Sequence, residues 1–101
     1  MFARILRLFR DKIRSRLYVM TRHARKEMND DALTVYDVEH GILKGKIIER
    51  QHDRITAEYK YRITGKTLEG GKMEVIVKLS PTGKVIIITV YLVREGKSDD
   101  M

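Results

Sequence analysis

The feature that most constrains this chain is a change of hydrophobic period at Gly45-Lys46. Upstream, apolar residues recur every three or four positions; downstream they alternate. The first pattern lines one face of a helix and the second lines one face of a strand. Helices in one block and strands in the next predict an α+β fold, not a βαβ series with its parallel sheet. A chain of 101 residues fits one such core.

In the helical half, Phe2, Ile5, Leu6, Phe9, Ile13 and Leu17 form one apolar stripe, which predicts a basic amphipathic helix over 3–17. It either docks on the sheet with a solvated basic face or grips RNA, a protein or a membrane surface. A mitochondrial presequence has a similar Arg-rich pattern, but the retained Met1 speaks against it. Tyr18-Val19-Met20 reads as an apolar link. Thr21 then caps a helix over about 22–28 with Ala24 and Met28 inward. Asn29-Asp30-Asp31 makes a turn, and Thr34 with Asp37 forms a capping box for a third helix carrying Val38 and Ile42. Gly41 weakens that helix, and Gly45 suits a left-handed C-terminal cap.

In the strand half, four runs stand out: 47–50, 57–63, 73–79 and 85–93. They predict a four-stranded antiparallel sheet with the helices packed on it. Pro81 and Gly83 make the last turn, Gly83 in the left-handed position. Val85 to Val93 is apolar almost throughout, which predicts a central strand covered on both faces. The expected organisation is therefore a basic helix at 1–18, a single α+β domain at 19–94 and a disordered polar tail at 95–101.

Composition narrows the function classes. There is no cysteine, which removes disulfides and thiolate metal sites. Charges interrupt every apolar run well short of the ~20 residues that span a bilayer, so no membrane span and a cytoplasmic protein are expected. Of the net +7, +6 falls in residues 1–22, where seven basic side chains face Asp11 alone. That asymmetry suits a polyanionic partner: nucleic acid, an acidic protein or an anionic surface.

The three histidines, His23, His40 and His52, lack ligand spacing, so no metal and no cofactor is expected. No glycine-rich phosphate loop or Gly-x-Ser-x-Gly elbow occurs. Thr21-Arg22-His23-Ala24-Arg25-Lys26 carries more chemistry, because it sets one imidazole among three cations at a helix start. Metal-independent RNA cleavage requires a base for the 2′-hydroxyl, an acid for the leaving oxygen and cations for the phosphorane. His23 could be base or acid, with Arg22 and Arg25 holding phosphate. The plainer reading of His23 is a cap or packing residue. Thr89 and Tyr91 share one face of the most apolar strand, where Tyr91 either packs its ring in the core or donates to a phosphate or base. Tyr59 and Tyr61 interleave with Lys60 and Arg62, a pattern equally suited to stacking RNA bases and to an ordinary strand.

The opening Thr21-Arg22-His23-Ala24, the segment "TVYDVEHGILKG" and the closing Thr89-Val90-Tyr91 resemble the domain of unknown function 4258 family over roughly residues 19–93. The resemblance implies a fold similar to RelE-like and BrnT-like toxins, in the barnase-like group of metal-independent ribonucleases. The family positions of His23, Thr89 and Tyr91 match. Taken with the residue cluster, this gives His23, Arg25 and Tyr91 as catalytic candidates and Arg22, Lys26, Thr89 and Arg62 as RNA-binding candidates. The expected function is then a toxin-like endoribonuclease of a type II toxin–antitoxin pair, with RNA and an antitoxin protein as partners. The alternative is a non-catalytic RNA- or protein-binding module. One residue departs from the pattern: Glu27 stands where the family often has Arg, four residues after the histidine.

Overall fold

The structure is a computed structural model, and it describes residues 1–94; the tail expected at 95–101 lies outside the described residues. Three helices, α1 (Ala3–Arg14), α2 (Arg22–Asp30) and α3 (Val35–Lys44), combine with five strands. The strands are β1 (Tyr18–Met20), β2 (Lys46–His52), β3 (Tyr59–Lys66), β4 (Lys72–Leu79) and β5 (Val85–Leu92), in the spatial order β1-β5-β4-β3-β2. The fold is α+β, as the change of period predicts.

The expectation of four antiparallel strands is corrected. Tyr18-Val19-Met20 is a fifth strand, and it runs parallel to β5, pairing Tyr18 with Val85 and Met20 with Ile87. Three residues are too few to reveal a period, and their partner lies at the other end of the sequence. Parallel pairing needs a long crossover, and here most of the domain supplies it. The Tyr18 hydroxyl donates to Glu39 of α3, which ties β1 to the helical layer. Burial, then that hydrogen bond, pushes the Tyr18 phenol up to about 12.

One face of the sheet carries the core. Ile47, Ile63, Met73, Val75, Val77, Val85, Ile87 and Val90 meet Phe9 and Ile13 of α1 and Val38 and Ile42 of α3. Phe9 is wholly buried, edge-on to Tyr61 at 5.4 Å between ring centroids. The basic first helix is thus docked, with Arg4, Arg7 and Arg14 on its solvated side. Arg10 turns inward and donates through Nη2 to Gly45 O at 2.7 Å, closing the C-terminus of α3.

Two helix ends differ from the sequence reading for one reason. In α1, Leu17 N–H donates to Lys12 O and Arg16 N–H to Ile13 O, with Arg16 at φ 61°. In α2, Leu33 N–H donates to Met28 O and Ala32 N–H to Asn29 O, with Ala32 at φ 56°. Both are Schellman caps, built with Arg and Ala where glycine is usual. Conversely, Gly45 does not take the expected left-handed geometry: its φ is −89°. It is small because a Cβ there would fall 2.2 Å from Thr64 O. Gly65 meets the same constraint, since a Cβ there would sit 2.3 Å from Gly41 O, while a Cβ on Gly41 would meet the Met73 methyl at 2.2 Å. Together they let α3 lie close on β3. Gly83 has φ 89°, as its turn requires.

The capping box of α3 is complete. Asp37 Oδ2 accepts from Thr34 N–H and hydroxyl, and Oδ1 reaches Leu68 N–H at 2.9 Å. Burial pushes the Asp37 carboxyl up, but these hydrogen bonds outweigh it and hold the group below its usual range. A carboxyl lowered on folding stabilises above its unfolded pKa of ~3.9 and loses that contribution as pH falls through the folded value. Asp37→Ala should therefore cost about 1–3 kcal/mol near pH 7, with the gap to wild type closing below about pH 4 in denaturant titrations. Ala32→Gly should stabilise by roughly 0.5–1 kcal/mol by relieving the left-handed Cβ, and thermal melts would read the rise.

Candidate functional site

The helix-free face of the sheet holds the most elaborate polar arrangement, and two β-bulges create it. In β5, Ile87 pairs with Val77 and Thr89 with Ile76, so Ile88 is an extra residue. Simple alternation from Val85 and Ile87 would carry Thr89 and Tyr91 into the core. The bulge reverses the parity: Val90 goes inward, and Thr89 and Tyr91 turn out beside Ile76 and Glu74. In β2, Ile47 pairs with Ile63 and Glu49 with Arg62, so Ile48 is the extra residue and Glu49 turns out as well.

These four residues form a chain across four strands. Tyr91 Oη donates to Glu74 Oε1 at 2.6 Å, and Arg62 Nη1 donates to the same oxygen at 3.1 Å. Arg62 Nε lies 3.0 Å from Glu49 Oε1, yet its N–H is not aimed at that oxygen and finds no acceptor in the protein. Glu74 is only 8% exposed. This shielded carboxyl group is paired with a guanidinium and a phenol. Burial, then the hydrogen bond to Glu74, raises the Tyr91 phenol above its ordinary value against the opposing pull of Arg62. The phenol thus keeps its proton at neutral pH and can donate it.

The second locus is the outer edge of β5. Beyond β1, Thr21 N–H donates to Ile87 O and its hydroxyl to Ile88 O. Glu27 Oε1 accepts from Val90 N–H at 3.1 Å, and Asp31 Oδ2 from Leu92 N–H at 2.9 Å. Four residues along a helix advance ~6 Å and two along a strand ~6.8 Å, so carboxylates at i and i+4 match alternate amides of the strand. α2 thereby completes the edge that β1 leaves open. The other oxygen of Glu27 lies 3.2 Å from His23 Nε2. Glu27, the departure from the family pattern, thus orients the imidazole and closes the sheet edge.

The predicted site residues divide into groups. Tyr91 and Arg62 meet through Glu74, with Thr89 on the same face. His23 is exposed and reaches this region only through Glu27, whose other contact is the backbone between Thr89 and Tyr91. Arg25 lies about 200° round the helix from His23 and lines a separate hollow of ≈ 330 Å³ with Tyr18, Met20 and Met28. Lys26 pairs with Asp30 at 3.0 Å in solvent, and Arg22 is exposed one turn before it. Tyr59 stacks under Arg50 at 4.6 Å, and Tyr61 belongs to the core edge. Sequence reading missed Glu49 and Glu74. Glu74 looked like the wet position of an alternating strand, and no residue type marks a bulge. Among the described residues no three of His, Asp and Glu gather closely enough to hold a metal ion. Nor is any helix among them long and apolar enough to cross a membrane.

The chain belongs to the family described as Domain of unknown function (DUF4258), whose sequence profile matches residues 20–92. Comparison with curated proteins gave no match. Comparison with solved structures gave none either.

The two roles of Glu27 separate by mutation. Glu27→Ala strands the buried Val90 N–H and should cost about 1–3 kcal/mol. His23→Ala removes an exposed partner and should cost under about 1 kcal/mol. Equal losses in denaturant titrations would contradict the edge-closing role.

Proposed function

We propose that this DUF4258 chain is a metal-independent endoribonuclease working from the helix-free face of its sheet. The observation that carries the reading is the Tyr91–Glu74–Arg62 arrangement: a buried carboxylate, a guanidinium and a raised phenol on one open surface. In strand cleavage by transesterification, Glu74 takes the 2′-hydroxyl proton as the O2′–P bond forms and the P–O5′ bond breaks. Arg62 holds the phosphorane charge. Tyr91 directs the phosphate, beside Thr89. His23, oriented by Glu27 at the adjoining edge, returns a proton to O5′. In this reading Arg22 and Lys26 guide the strand electrostatically, and Arg25 sits too far round α2 to share the phosphate with His23.

As part of the same proposal, the chain would be similar to RelE-like and BrnT-like toxins, with an antitoxin as protein partner in a prokaryotic cytoplasm. A second reading, a non-catalytic RNA-binding module, draws on a different observation. Arg62 already lies between two carboxylates, so a phosphate must displace one of them to reach it.

Purified protein in EDTA should cut a mixed RNA pool into fragments ending in 2′,3′-cyclic phosphate. Glu74→Gln, Arg62→Ala and His23→Ala should each lower the rate by roughly 10²–10⁴-fold with RNA binding retained. Intact RNA with wild-type protein that nonetheless binds it would establish the binding module instead.

A further inference from the structure

A second cationic site lies where α3 ends against β2, β3 and β4. A cleft of ≈ 610 Å³ is lined there by His40, Lys44, Lys46, Thr64, Lys66 and Lys72, with glycines 45, 65 and 70 forming part of its wall. No acidic side chain lines it. The ion pairs among the described residues engage Arg14, Arg16, His23, Lys26, Arg62, Lys78 and Arg94, and none engages Lys44, Lys46 or Lys66. Lys44, Lys46 and Lys66, gathered round a concave wall partly built of glycine, make a site for phosphates.

His40 adds orientation. Its Nδ1 is 2.8 Å from Lys66 O, and a carbonyl can only accept, so Nδ1 carries the proton and Nε2 remains for a ligand.

Register connects this cleft to the open face. Lys46 pairs with Thr64, Thr64 with Glu74, and Glu74 with Tyr91. Directly opposed residues point to the same side, and strands lie ~4.8 Å apart, so Thr64 of the cleft is one strand from Glu74 and Lys46 is two. We infer that the cleft is a phosphate subsite for single-stranded RNA, holding the backbone next to the nucleotide at Glu74 and Arg62. The inference rests on the open-face reading of RNA as ligand, but not on cleavage. Its volume suits one or two nucleotides, not a duplex.

The test uses the full chain, a fluorescein-labelled 2′-O-methyl RNA decamer that cannot be cleaved through its 2′ oxygens, and anisotropy titrations between about 50 and 200 mM salt. K44Q/K46Q/K66Q should weaken binding at least tenfold. Each lost phosphate contact lowers the log–log salt slope by ~0.7, so the slope should shrink by about 2. K44R/K46R/K66R should bind as wild type, and R4Q/R7Q/R14Q on α1 should keep the wild-type slope. A folded glutamine triple variant with unchanged affinity and slope would overturn the subsite, as would transfer of the whole loss to the α1 variant. RNA that fails to bind while polyglutamate does would also overturn it. Absent cleavage of ordinary RNA, with the slope change intact, would remove the nuclease reading and leave the subsite standing.

Discussion

Strand β5 must be hydrogen-bonded on both sides, and most of the architecture answers that requirement. On one side β4 pairs along its length. On the other, β1 covers only Val85–Ile87, and side chains of α2 serve the backbone beyond. A buried amide left without a partner costs about 1–3 kcal/mol, so this edge cannot stay open beside a packed core. The solution pulls the N-terminal third of the chain onto the last strand. It also ties β1 to α3 through Tyr18 and Glu39, and it holds His23 next to the strand that carries Tyr91.

The same strand separates structure from chemistry. Before the bulge at Ile88 its odd-numbered residues, Val85 and Ile87, build the core; after it Thr89 and Tyr91 serve the opposite face. A matching bulge in β2 sends Glu49 to meet Arg62. Bulges interrupt pairing and are tolerated where they re-aim a side chain. Here both converge on one guanidinium. The result is a buried carboxylate on a face no helix covers, flanked at one side by His23–Glu27 and at the other by a lysine-rich cleft.

Much of the fold is legible in the sequence because it rests on local signals. The change of period at Gly45, the Thr34–Asp37 box, the Thr21 cap and the Gly83 turn each declare themselves within a few residues. What escaped is non-local or carries no residue signature. β1 is three residues whose partner lies far along the chain. The ends of α1 and α2 are marked by Arg16 and Ala32 in a conformation that ordinarily announces itself with glycine. Gly45 serves close packing, which a single sequence cannot distinguish from a left-handed cap. At the site, Tyr91, Thr89 and Arg62 could be singled out by type. Their true partners, Glu74 and Glu49, could not, because strict alternation assigns them to faces that the bulges exchange or leave unremarked. The Arg22–Lys26 cluster is dense in sequence yet spread round α2, since neighbours on a helix diverge by 100° per residue.

The proposed ligand surface is the helix-free face of the sheet. Amide chemical shifts during titration of a 2′-O-methyl RNA oligonucleotide into labelled protein test it most directly. The largest shifts should gather at Arg62, Thr64, Glu74, Thr89 and Tyr91. Shifts confined to the exposed side of α1, with those five amides unmoved, would contradict it.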